Sequence, residues 1–555
     1  MNTAATTASE GALPARGHGA QLGLVLLVAG VTAAALFHAL DLASRLAQTS
    51  DSAQSLVAGH AVVRGNMLLS GWHLPLNDYY FTDTLPYAAL ERLVGPRPFL
   101  LVLVPALTYA LFVLAGLLAC IRPSRPLIPN LEASAAIALA LAAPAWFGSW
   151  DPVLLSGMHV ATVLGALVAL ALCARIAHTG QRNACLDLGA GVALLLVTSA
   201  TLSSDLFSLV FAFGPALAVL ILEAVLHPAA RNFRAALLWL GCGIALGFVL
   251  PQAIALAGGF TTENDVLTRL VAAPLFGRNL LALLSGALTL FGVNPFGMEF
   301  GFCTVFLFAL HGIALAIVVA AVFRVARRLF GQHPANLFDR MLCAGMLSLL
   351  VACAFSAQFG KGITPQSMWT GGPPMRYLVP GVLFGAVLAG RQVPEMLAAL
   401  PTLRVRNTAF RVLVLLAALG VIAGGWLPRD VEAQPRWIAN NPPEAAACWL
   451  EQHGLVEGVG EYWSSNLVTA MSGDTVQVRS VVPLAGRLIP YVWVEDRRWF
   501  AQPPQFVIWQ DNNKTGLTFD DVRATYPICE TTVVAGYRIT VLKDPRHVFR
   551  CASRS

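Results

Sequence analysis

From residue 21 onward the chain is a series of apolar runs separated by short polar breaks. Runs near 21–42, 98–120, 130–147, 158–177, 186–203, 206–226, 236–256, 303–323, 339–357, 376–391 and 410–427 are each read as one membrane helix. A helix needs roughly 20 apolar residues to cross the hydrocarbon core. Eleven spans put the two termini on opposite sides. A further apolar run, 280–292, is short for a span, and counting it would invert the sidedness of every later loop. It is read as an interfacial or re-entrant helix inside a long loop, 257–302.

Beyond 427 the pattern changes. Apolar and polar residues alternate with period two through Thr475–Val482, Gln505–Trp509 and Tyr537–Leu542, while 444–452 has helical spacing. The expected organisation is a polar tail (1–20), a helical membrane domain (21–427) with large loops at 43–97 and 257–302, and a soluble α/β domain (428–555). The fold class is a multi-spanning α-helical membrane protein with a C-terminal α/β domain.

Composition supports this. Of the 555 residues 57% are hydrophobic and 12% charged, too few charges to keep a body of this size in water. Arginine supplies nearly all of the positive charge, since only Lys361, Lys514 and Lys543 are lysines. Arg16, Arg122, Arg125, Arg175, Arg182, Arg231, Arg234, Arg324, Arg327, Arg328, Arg340, Arg391, Arg404, Arg406 and Arg411 all fall on one side of the predicted bundle. By the positive-inside rule that side is cytoplasmic. The N-terminus is then inside and the C-terminal domain outside, in the periplasm if the membrane is a bacterial inner membrane. No basic face or motif points to nucleic acid.

Ten cysteines are present. Seven lie in or beside spans and read as core residues. Cys448, Cys529 and Cys551 are outside, where disulfides persist, so one bridge and one free thiol are expected. No spacing suggests a metal site, and no cofactor is implied, a divalent metal being left open. Asn513-Lys514-Thr515 matches a glycosylation sequon by coincidence.

The chemistry is expected in the first large loop. Asp51 follows the first span. An amphipathic stretch, roughly 52–68, then carries His60 and Arg64 four residues apart, as a helix lying along the bilayer surface would. Asp78, Tyr79, Tyr80 and Asp83 precede the second span. Asp51 also suits an N-cap, with Gln54 completing a capping box, and Asp83 or Thr84 suits a cap ahead of Pro86. Trp72, Tyr79 and Tyr80 suit an interfacial aromatic belt. His159 reads as a satisfied buried histidine.

This arrangement resembles the membrane glycosyltransferases of the C-type (GT-C) fold, a group that includes protein O-mannosyltransferases and lipid A aminoarabinose transferases. The resemblance rests on Asp51, the 52–68 helix, Gly65 and Asp83-Thr84-Leu85-Pro86-Tyr87 in the first loop. It extends to Ser204-Asp205 at a short turn, Arg376-Tyr377-Leu378-Val379-Pro380 leading into a late span, and Tyr462-Trp463-Ser464-Ser465-Asn466 in the C-terminal domain. Many members have an Asp-Glu pair after the first span. Here Ser52 follows Asp51, so a two-acid mechanism at that spot is not implied.

The resemblance implies transfer of a sugar from a polyprenyl-phosphate donor to an extracytoplasmic acceptor. Such a reaction needs an acid as general base, with Asp51 and Asp83 as candidates. It also needs a cation at the leaving phosphate, with Arg376, Lys361 and Arg269 as candidates. His60, Arg64, Asp78, Tyr80 and His159 are substrate-loop candidates. Two rival readings remain open: a transporter or flippase of a lipid-linked substrate, and an inactive membrane partner of envelope glycan assembly.

Overall fold

The computed structural model describes residues 18–543 apart from 123–124, 143–150, 179–183, 228–230, 264–268, 297–300, 330–334, 361–362, 365–368, 370–372, 427–436, 440 and 512–514. Lys361, Cys551, most of the sequon and the expected boundary at 427/428 lie outside the described residues.

The helices in chain order are α1 (His18–Arg45), α2 (Ser50–Val63), α3 (Leu85–Val94), α4 (Leu100–Cys120), α5 (Leu127–Ala142), α6 (Asp151–Leu154), α7 (Val160–His178), α8 (Ala184–Ser204), α9 (Gly214–Leu226) and α10 (Arg231–Leu256). They continue as α11 (Phe276–Leu290), α12 (Phe302–Arg328), α13 (Leu337–Phe355), α14 (Ala357–Gly360), α15 (Val379–Ala398) and α16 (Leu403–Trp426). Each of the eleven expected spans falls on a helix. Among the described residues eight helices are long and apolar enough to cross a membrane, by length and composition. Seven of these are expected spans, and the eighth is Ala273–Leu290. α15 is not among them because it carries Arg391, Gln392 and Glu395. Nearly every residue from Val379 to Pro394 is buried, so α15 meets protein rather than lipid and can hold those charges.

The arginines gather at one end of the bundle. Arg391 pairs with Asp339, and Arg340 pairs with Glu223. Arg125, Arg324 and Arg328 converge on Glu395 at 3.5, 3.5 and 3.3 Å. This end lies past the C-terminus of α4. Loop 43–97 precedes the N-terminus of that helix, so it lies at the opposite end, and the C-terminal domain packs there.

α11 crosses that second end. The Asn279 side chain donates to the carbonyls of Cys353, Ala354 and Ser356 at the end of α13. Seven residues on, Gly286 abuts Leu378 and Met375 at the start of α15. α13 and α15 are antiparallel, since Asp339 meets Arg391 and Leu349 meets Gly381. Both contacts of α11 are therefore at the same end, as an interfacial helix requires.

The C-terminal domain contains α17 (Pro442–Gln452), α18 (Tyr462–Met471) and α19 (Phe519–Thr525). Strands in chain order are β1 (Trp72–Leu74) and β2 (Thr261–Thr262) in the loops. β3 (Glu457–Glu461), β4 (Gln477–Leu484), β5 (Arg487–Pro490), β6 (Glu495–Asp496), β7 (Phe506–Gln510), β8 (Ile528–Val534) and β9 (Tyr537–Leu542) follow in the domain. The main sheet has the order β5-β4-β3-β7-β9-β8, with β4, β3 and β7 parallel and the outer pairings antiparallel. Cys529 is disulfide-bonded and Cys448 is a free, exposed thiol.

Two features join the domain to the bundle. β1 from the first loop pairs in parallel with β2 from the second and antiparallel with β6. One apolar cluster contains Leu56, Val57 and Trp72 from the loop and Leu467, Ala470, Met471 and Val494 from the domain. This corrects the expected bilayer-surface helix. α2 ends at Val63 and is buried on nearly all sides, covered by α3 and α18. Its apolar stripe faces protein, and Met67 and Leu68 lie exposed beyond its end. Trp72, Tyr79 and Tyr80 are likewise buried and form no surface belt.

Candidate active site

The segment Gln48 to Asp51 turns α1 into α2. The N-cap is Thr49, whose side chain accepts from the Ser52 backbone, and Ser52 returns the bond to complete a capping box. Asp51 and Gln54 therefore do not cap, contrary to expectation. Asp51 sits in the first turn, where the helix dipole favours a negative charge. Its Oδ1 accepts from the Tyr462 hydroxyl at 2.6 Å.

Opposite Asp51 lies a turn built from three loops. The 3₁₀ turn Pro373–Leu378 carries Arg376 and Tyr377 to the start of α15. The Arg376 guanidinium lies 5.1 Å from the Tyr377 ring centre and donates to its hydroxyl at 3.2 Å. Among the described residues no carboxylate is within ion-pair distance of Arg376. The groups that act on it electrostatically include Tyr79 and Asp51.

Beside this pair, His159 Nδ1 is 2.6 Å from Asp205 Oδ2, and the Thr162 hydroxyl donates to the same oxygen at 2.9 Å. The other oxygen of Asp205 caps Phe207 N–H at 3.1 Å, which fixes the short turn between α8 and the π turn Leu209–Phe213. His159, Phe207 and Tyr377 pack ring against ring, 5.0 to 5.8 Å between centres. The Tyr79 hydroxyl lies 3.4 Å from His159 Nδ1, and its backbone N–H donates to Ser204 O. Tyr79 and His159 both have positive φ, 51° and 70°. Non-glycine residues hold that conformation only where packing over-determines it, and such residues cluster at functional sites.

Asp78 and Asp83 are buried at the edge of this turn. Burial pushes the Asp78 carboxyl up to about 8, against a hydrogen bond from Tyr80 N–H. Burial also raises Asp83, to about 6, while the Gly157 N–H and the Thr82 hydroxyl lower it. Asp83 does not cap α3. Its helix begins at Leu85 after the π turn Tyr80–Thr84, and Thr84 makes no side-chain cap. Asp83 lines a small pocket of about 10 Å³, room for roughly one water. A Cβ at Gly157 would lie 3.5 Å from Asp51 O and 3.5 Å from the Gln54 amide, so this turn bridges Asp83 and the start of α2.

The structure thus brings together Asp51, Asp78, Asp83, His159 and Arg376. It places other candidates elsewhere. His60 Nδ1 is 2.6 Å from Glu91 Oε2, tying α2 to α3, and Arg64 pairs with Asp474 in the C-terminal domain. The Tyr80 hydroxyl donates to Met67 O. Arg269 is exposed, and its carbonyl accepts from Ala357 N. Tyr79, read from sequence only as a belt aromatic, belongs to the cluster with Tyr377 and Tyr491, and Tyr491 was not singled out from sequence. The only signal for Tyr377 was its place in Arg376-Tyr377-Leu378-Val379-Pro380.

No family model matches the sequence, and no curated protein does. Among solved structures, ArnT from Cupriavidus metallidurans in the apo state aligns with a TM-score of 0.52 at 12% identity, over 94% of this chain and 98% of that one. ArnT from the same organism bound to undecaprenyl phosphate aligns with a TM-score of 0.52 at 12% identity, over 93% and 98%. The chain has the GT-C fold of these structures over more than nine-tenths of its length.

Proposed function

We propose that this chain is a glycosyltransferase that moves a sugar from a polyprenyl-phosphate donor to an acceptor at the end of the bundle beneath the C-terminal domain. One observation carries the reading. A half-buried guanidinium with no carboxylate partner among the described residues, Arg376, stands within electrostatic reach of a carboxylate held in place, Asp51. An unneutralised cation at a membrane surface suits a lipid phosphate. ArnT bound to undecaprenyl phosphate, which shares the fold, supports that class of donor.

The chemistry follows from the charges. The acceptor hydroxyl or amine attacks the anomeric carbon, and the bond from that carbon to the phosphate oxygen breaks. The lipid phosphate leaves with an added negative charge, which Arg376 stabilises, with Lys361 and Arg269 as further candidates for that role. Asp51 takes the acceptor proton. The buried Asp83 holds the Gly157 turn and is the second candidate base. The arginine-rich end is cytoplasmic in this reading, and the domain end faces the extracytoplasmic side of a bacterial inner membrane.

The test uses purified protein in liposomes with a radiolabelled polyprenyl-phosphate sugar. Asp51→Asn leaves the Thr49 cap intact and is expected to fold. It should lower the transfer rate by roughly 10²–10⁴-fold while donor still binds. Arg376→Ala should weaken donor binding. An Asp51→Asn protein that transfers at the wild-type rate excludes Asp51 as base, and loss confined to Asp83→Asn moves the base there. A wild-type protein inert toward every polyprenyl-phosphate sugar contradicts the whole reading.

A further inference from the structure

We propose that Tyr462, supplied by the C-terminal domain, is a positioning residue for Asp51, so that the soluble domain completes the active site. The inference rests on the reading of Asp51 as base. Tyr462 is the first residue of α18, directly after β3. Glu461 caps this helix by accepting from Trp463 N–H at 2.8 Å, which fixes the turn and aims Tyr462 at α2. The Tyr462 carbonyl accepts from the Ser50 hydroxyl, one residue before Asp51. Its ring is buried and packs edge-on against Tyr491, 5.7 Å between centres. Backbone and ring are thus both pinned, and the hydroxyl has one carboxylate oxygen in reach.

That oxygen is Asp51 Oδ1, at 2.6 Å. Among the described residues Oδ2 has no hydrogen-bond partner. One oxygen is therefore tethered and the other left to accept a proton from the acceptor. The tyrosine keeps its own proton, because burial and the Asp51 charge raise its phenol well above the usual range. Among the described residues the other groups facing Asp51 are Tyr491, between β5 and β6, and Arg376, before α15. The shared apolar cluster and the β1–β6 ladder hold the domain in the register that makes this contact.

Tyr462→Phe keeps the ring and removes the hydrogen bond. It should lower kcat by about 10- to 100-fold, the scale of one hydrogen bond to a charged group, with KM for the donor unchanged. The bond favours the charged carboxylate, so its loss should move the acidic limb of the pH–rate profile to higher pH. Val541→Ala, in the domain's own apolar core rather than in the cluster shared with α2, is the comparison. It should lower the melting temperature and leave that limb in place. A second readout needs no transfer activity. Carbodiimides label protonated carboxyls, and labelling of the Asp51 peptide, followed by mass spectrometry, should persist to higher pH in Tyr462→Phe. An unmoved limb together with unchanged labelling overturns the proposal. Shifted labelling in a protein that transfers no sugar overturns the glycosyltransferase reading and leaves the positioning of Asp51 standing.

Discussion

Among the described residues neither Asp78 nor Asp83 has a lysine or arginine within ion-pair distance, and burial raises both, to about 8 and about 6. Glu495, accepting from Ser480 N–H at 2.6 Å in the domain, is raised to about 8 by the same cause. Each of these carboxyls binds its proton more tightly folded than unfolded. Their contribution to stability is full below about pH 4 and is lost as pH rises toward 8. Thermal melting in detergent should therefore fall from pH 5 to pH 8, and Asp78→Asn should flatten that fall. A steeper fall in Asp78→Asn would contradict the assignment. At this scale the sequence was partly legible. Asp51 and Arg376 stood out through their place beside spans. The aromatic residues did not, because a tyrosine near a span end reads equally well as a belt residue. Only the fold shows that Tyr79 is buried against His159. The roles of His60 and Arg64 were hidden for a similar reason: their partners, Glu91 and Asp474, lie 31 and 410 residues away.

Among the elements, the apolar runs marked a helix at every expected span, since a run of that length has few alternatives. Element ends were less legible. Thr49 rather than Asp51 caps α2, a choice worth only about 1 kcal/mol and decided by one turn of chain. The fate of α2 also escaped the pattern, since an amphipathic helix looks the same whether its apolar face meets lipid or protein. α11 is the element on which sidedness turns. Its length and composition suit a span, while its contacts with the ends of α13 and α15 fit the interfacial reading. A reporter fused after Arg327 should then read cytoplasmic and one at the C-terminus extracytoplasmic. An extracytoplasmic reading after Arg327 with a cytoplasmic C-terminus would mean that 280–292 crosses the membrane.

Across the whole molecule, the membrane bundle and the soluble domain share one apolar cluster and one small sheet. The abrupt change of composition near residue 428 marked the domain but could not show this docking. The pairing residues, Trp72–Leu74 and Glu495–Asp496, are more than 400 residues apart. Docking is what turns two loops and a domain into a roofed site with Arg376 and Asp51 beneath Tyr462. The central claim is that this site receives a polyprenyl phosphate. Its most direct test is an experimental structure of the full chain with undecaprenyl phosphate. The phosphate should lie against Arg376 and Tyr377, on the Asp51 side of the bundle. Density for the phosphate at the arginine-rich end, beside Glu395 or Arg340, would contradict it.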